Sequence, residues 1–417
     1  MAENAPCPGG AAQAPPPGRW AALTRSFRRR NFRLFFAGQF VSLTGAWMQN
    51  VAEAWLVYRL TGSSAALGLV RFAALAPVFA LALVGGDWAD RADRRSILLL
   101  TQSAAMLLAF ALAALCLTGA VQVWHIMVLA TLLGVVSALD VPTRQSFLSD
   151  LVDKADLANA IGLNSSMFHL ARVVGPTAAG VVLAAVGEGW CFLLNGLSFL
   201  AVLASLAAMR IPPRTAAPDR PPFLSRLREG LGYAWRTREV RNVLALVATG
   251  SLFGSSYLVL MPVFASEVLH AGAGGFGLLM TAAGAGSLAG ALVLSLRRDA
   301  AGLWRVRSRA ALVFGASLAC FALSDSYWVS AALLVPVGFG MILFMAASNT
   351  LLQTLAPDAL RGRIMALFSM MFMGMAPFGA LLAGFLAESL GAQWTVGLCG
   401  AACLACSLAL GRTPAGR

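Results

Sequence analysis

Charge is scarce in this chain. Only 12% of its residues are charged, about half the share of an ordinary soluble protein, while 59% are hydrophobic and the mean hydropathy is +0.76. A soluble globule of that composition would expose too much apolar surface to stay dispersed. Apolar runs instead recur from Phe32 to Leu410 of the 417 residues, which implies a polytopic membrane protein in contact with a lipid bilayer. Lysine is nearly absent: of 31 basic residues, all but Lys154 are Arg. A Walker A loop needs its Lys after Gly to hold phosphates, and Lys154 follows Asp153, so ATP binding by that route is excluded. Three scattered histidines (His125, His169, His270) and seven cysteines without zinc spacing give no metal site, and no cofactor is expected. The chain has no H-E-x-x-H, no G-x-S-x-G elbow and no paired catalytic carboxylates, so it is read as no enzyme. Gly272-Ala273-Gly274-Gly275-Phe276-Gly277 fits G-x-G-x-x-G but follows no strand; it is placed in an outer loop and dismissed as a nucleotide site.

A net charge of +13 suggests nucleic acid in a soluble protein, but these cations lie between apolar runs instead of forming one patch, so no nucleic-acid partner is expected. Their distribution is topological. Apolar stretches predict helices near 32–58, 67–89, 96–118, 121–141, 158–186, 190–209, 242–265, 275–296, 306–323, 327–355, 362–387 and 392–411. With both termini cytoplasmic, 28 of the 31 basic residues fall on the cytoplasmic side and only Arg59, Arg71 and Arg172 remain. The fold class read from this is an all-α membrane protein of twelve transmembrane helices, multi-pass in the bacterial cytoplasmic membrane.

Two halves are visible. Trp124, Gly134, Leu151, Leu163, Gly180, Gly187 and Trp190 recur 204 residues later as Trp328, Gly338, Leu355, Leu367, Gly384, Gly391 and Trp394. The expected organisation is a disordered tail at 1–27, a six-helix bundle at 28–210, a Pro- and Arg-rich cytoplasmic linker at 211–240, a second bundle at 241–411 and a short tail at 412–417. Parallel halves with a site at their interface are a transporter architecture.

Four sets of residues are candidates for function. Gly86-Asp87-Trp88-Ala89-Asp90-Arg91-Ala92-Asp93-Arg94-Arg95 joins helices 2 and 3; Asp90 can cap the positive N-terminus of helix 11 while Arg91, Arg94 and Arg95 pair across the halves, latching the cytoplasmic side. Asp140 and Arg144, around a Pro142 read as closing helix 4, can extend that network. In helix 5, Gly162, Ala171, Gly175-Pro176 and Ala179-Gly180 combine a missing backbone donor with small residues that let helices touch. Arg172 lies about 18 Å along that helix, near mid-bilayer, where a cation faces a cavity or a partner. Glu53 shares a face of helix 1 with Gln49 and Asn50; it is read as a proton carrier or as the ion-pair partner of Arg71. Tyr257, Asn349 and Gln353 are further polar positions for a cavity.

The loop G-x-x-x-D-R-x-x-R-R resembles the cytoplasmic signature of the major facilitator superfamily, with Trp88 where Leu and Asp93 where Gly are common, and the helix 5 pattern resembles its antiporter signature with Ala at two Gly positions. Trp47-Met48-Gln49, the run Ala54–Ser63 and Asp140-x-Pro142-x-Arg144 look like the enterobactin-exporter and macrolide-efflux branch. The resemblance implies a monomeric, proton-coupled exporter of small amphipathic molecules, of drug or siderophore class, working by alternating access. Import or uncoupled facilitation, and a non-transporting receptor or assembly partner, are the alternatives.

Overall fold

A computed structural model describes residues 25–91, 93–209, 231–296, 302–357 and 360–410; for 82–91 it describes the backbone alone. After a 3-10 turn at Arg25–Arg28 come α1 (Arg30–Thr61), α2 (Ser64–Arg91), α3 (Arg94–Leu117), α4 (Val123–Leu151), α5 (Leu157–Val186) and α6 (Glu188–Ala208). Residues 231–236 are helical, followed by α7 (Arg238–Val268), α8 (Gly272–Ser295), α9 (Leu303–Ala322), α10 (Tyr327–Leu355), α11 (Arg361–Leu390) and α12 (Ala392–Leu410). Ten described helices are long and apolar enough to cross a membrane. The exceptions, α1 and α9, are diluted by polar residues: Gln39, Gln49, Asn50 and Glu53 in one, Arg305, Arg307 and Arg309 in the other. Outward faces are apolar, with Leu100, Leu107, Val181 and Phe385 all exposed, as a lipid-facing surface requires.

Three elements differ from the sequence reading. Pro142 does not close the fourth helix, which runs to Leu151. Proline removes one N–H and costs about 3 kcal/mol inside a helix, but the extra turns bury Phe147, Leu148 and Leu151, each contributing about 1.5–3 kcal/mol. The seventh helix is not continuous. It breaks at Phe253–Ser255, where the Gly254 N–H bonds to Gly250 O and the Phe314 ring leaves no room for a side chain, and it ends in a π turn at Phe264–Val268 beyond Pro262. The glycine-rich segment 272–277 forms no loop but the first turns of α8.

Packing follows a two-fold pattern. α1 lies on α5 and α6, α2 on α4, and α3 on α6; α7 lies on α11 and α12, α8 on α10, and α9 on α12. The repeated glycines do the same work in each set. A Cβ on Gly134 would sit 2.4 Å from Ala74 O of α2, and one on Gly338 would sit 1.9 Å from Ala283 O of α8. Gly187 and Gly391 end α5 and α11 with φ of 87° and 85°, where a side chain is strained. The two sets meet along α5 against α8 and α2 against α11.

Candidate functional site

Small residues build the seam. A Cβ on Gly277 would stand 2.4 Å from Gly180 Cα, and one on Gly384 would stand 2.9 Å from Gly68 Cα, so both crossings bring backbones into contact. Between them the Thr177 and Thr281 hydroxyls are 2.9 Å apart, Trp55 stacks on Phe276 at 5.8 Å, and Phe378 meets Phe72 and Phe79. Polar contacts close the end of the seam. The Tyr58 hydroxyl donates to Glu267, and Glu388 at the end of α11 accepts from the Ala65 N–H and the Ser63 hydroxyl, each at 3.1 Å, capping the first turn of α2. These contacts all lie between the middle of the helices and the end where α1 turns into α2. Toward the other end the side chains of 82–91 fall outside the described residues, Ile161 is exposed, and a Cβ on Gly162 meets nothing within 4 Å.

Arg172 sits at the middle of α5, its carbonyl against Gly284 of α8. Its guanidinium lies over the Trp47 ring at 5.4 Å. Among the described residues no carboxylate closes an ion pair with it. The Tyr257 hydroxyl, immediately after the break in α7 and 1% exposed, faces this guanidinium outside hydrogen-bond geometry and has no other partner. His169, one turn before Arg172, has a partnerless Nδ1 in the same field. Glu53 faces Arg71, which is enclosed by the helices yet accessible, without closing to a direct ion pair. The structure therefore brings Arg172 together with Tyr257 and Trp47, and Glu53 together with Arg71.

Other expected residues take different places. Gln49 is withdrawn from the site: its carbonyl accepts from Asn195 Nδ2 at 2.6 Å, tying α1 to α6, while Asn50 stays exposed. Ala171, Gly175, Pro176 and Gly180 are buried; Gly175 packs on Trp47 and Thr44 of α1, Gly180 on α8. Gly86, Asp90 and Arg91 lie on the last turns of α2, and their side chains fall outside the described residues. Arg94 bonds to Ser146 O and Asp150 on α4, both at 2.9 Å, and Arg95 to Leu206 O and Ala207 O at the end of α6. Asp140 accepts from Thr101 and Gln102 of α3 and pairs with Arg144 at 3.6 Å. Gln353 donates to Asn349 on the α10 surface.

The carboxylate of Glu388 was missed by sequence reasoning, although a signal existed. α2 and α11 run antiparallel across the seam, so a carboxylate near the end of either helix meets the start of the other. The argument that put Asp90 on helix 11 puts Glu388 on helix 2.

Two pseudo-equivalent helix sets around a seam with charged groups at mid-depth define a membrane solute transporter. A family model described as a transmembrane secretion effector matches residues 20–415, and the chain belongs to that family within the major facilitator superfamily. It is 27% identical to the staphyloferrin A transporter of Staphylococcus aureus over 88% of this chain and 92% of that protein. It is 26% identical to the enterobactin exporter EntS of Shigella flexneri over 87% and 86%. Among solved structures, a POT family transporter in complex with a thioalcohol-conjugated peptide superposes with a TM-score of 0.73, at 14% identity, over 91% of this chain and 95% of that one.

Proposed function

We propose that the chain is a proton-coupled exporter of small amphipathic molecules that works by alternating access. In this reading twelve helices span the bacterial cytoplasmic membrane with both termini inside, and a monomer suffices. The bundles at 28–210 and 241–411, joined by 211–240, rock about the α5–α8 and α2–α11 seams. The observation that carries it is a pair of helix sets in backbone contact along two glycine-lined seams, with Arg172, Glu53 and Arg71 inside the spans and no direct ion pair closed by any of them among the described residues.

Glu53 is the proton carrier in this scheme. It is a carboxylate within a membrane-spanning segment, opposed by Arg71 and free to gain or lose a proton as the bundles rock. Asp90 with Arg91 forms the cytoplasmic latch toward helix 11, while Arg94 and Arg95, expected to pair across the halves, instead hold the loop to α4 and α6 of their own half. Efflux measured in cells with and without a protonophore tests the scheme. Glu53→Gln should abolish proton-driven efflux and Arg172→Ala should abolish all transport, with both proteins still in the membrane; intact efflux in either variant rejects the role given to that residue. The relatives' names favour export over import.

A further inference from the structure

We infer that the central site binds organic anions, a carboxylate on an aromatic or apolar body held by Arg172 and Tyr257 beside the indole of Trp47. This rests on the transport reading above and names the substrate class for the same site. The first observation is a charge imbalance. Glu53 faces Arg71, so those two charges offset one another, whereas Arg172 meets no carboxylate among the described residues. A lone cation at mid-seam, in surroundings of low dielectric, repels a second cation and attracts an anion.

The second observation is independent of charge. The Tyr257 hydroxyl is 1% exposed and has no hydrogen-bond partner, though it faces the guanidinium. The hydroxyl oxygen can accept from the guanidinium on closer approach, but the guanidinium accepts nothing, so the Tyr257 O–H proton has no acceptor. A carboxylate placed between them accepts from both: a guanidinium presents parallel N–H groups that match its two oxygens, and the hydroxyl supplies a further donor. Nδ1 of His169 is equally partnerless on the same face of α5.

The third is the shape of the surroundings. Trp47 covers one face of the guanidinium, Phe168 packs edge-on to Trp47 at 5.8 Å, and the Trp55–Phe276 stack closes the seam beyond. An aromatic body fits against these rings while its carboxylate reaches Arg172. Tyr257 enters immediately after the break in α7, and interrupted helices are where transporters place polar groups against a solute.

The test uses two probes with one body and opposite charge, 1-naphthoate and 1-naphthylmethylammonium, added at millimolar concentration to the purified full-length chain in detergent, with thermal unfolding as readout. Naphthoate should raise the midpoint and the ammonium should not. Arg172→Gln should weaken naphthoate at least tenfold, with Arg172→Lys keeping part of the affinity. Tyr257→Phe removes a partnerless hydroxyl, so it should unfold no earlier than the unmodified protein without ligand while binding naphthoate several-fold more weakly. An equal or larger shift with the ammonium, no shift with naphthoate, or undiminished naphthoate binding in Tyr257→Phe and Arg172→Gln overturns the inference. Flux separates it from the transport reading. Naphthoate that binds through Arg172 in a protein that moves no solute sinks transport and leaves the anion site, while export of the ammonium and not of naphthoate does the reverse.

Discussion

Asp93 accepts from the Ser96 hydroxyl at 2.6 Å and from the Ser96 N–H at 3.0 Å, which makes it the N-cap of α3. The position is commonly glycine in the superfamily loop that this segment resembles, so the departure from the pattern has a structural return: an orphan helix donor is satisfied. The Ser96 hydroxyl above all, against a modest opposing effect of burial, holds the carboxyl below its ordinary value of 3.8. Because the folded value is depressed, the cap stabilises above that ordinary value and is lost as pH falls through the folded one. Asp93→Ala should therefore cost about 1 kcal/mol at neutral pH. Thermal unfolding in detergent should show the gap between variant and parent closing as pH is lowered below 4. Sequence reading at this scale succeeds where a residue's chemistry is local and fails where a neighbour decides. Gln49, Asn50 and Glu53 do share a face, but Asn195, 146 residues away, takes Gln49 for an inter-helix bond. Tyr257 was legible as polar, not as the residue that meets Arg172.

The contact of α5 with α8 shows what the glycine-rich segment 272–277 is for. Gly277 lies against Gly180 so closely that a Cβ has no space, and the opposing atoms are backbone, which cannot rotate away. Gly277→Val should prevent this crossing. The expected outcome is a protein that inserts but loses compactness and transport, read by protease sensitivity and by efflux; normal efflux would show that the seam does not need this approach. Gly162→Ala is the contrast, since a Cβ there meets open space and should be tolerated. Helix limits were legible wherever charge brackets an apolar run, as at Tyr327–Leu355. They were not legible at Pro142 or Gly254. A proline or glycine states a local preference, while buried Phe147 and the Phe314 ring settle the outcome.

Across the whole molecule the repeat of 204 residues proves to be a repeat of mechanical roles. Gly134 and Gly338 seat α4 and α10, Gly180 and Gly384 line the two seams, and Gly187 and Gly391 end the helices that form them. Extending that symmetry pairs Glu388 on α2 with Asp90 as its counterpart at the opposite end. Glu388→Ala should loosen the closed end. With both hydrogen bonds exposed the loss is about 1 kcal/mol, roughly fivefold in the balance between the two openings. Spin labels at positions 61 and 390 should report a larger population of long distances. An unchanged distribution would mean that the apolar seam alone holds this end shut. The most direct test of transport itself is solute flux in proteoliposomes that hold the purified chain under an imposed proton gradient, with an amphipathic anion such as 1-naphthoate as solute. Accumulation should rise with the gradient and vanish in Glu53→Gln. Flux equal to that of protein-free liposomes, with the chain inserted and folded, would contradict transport.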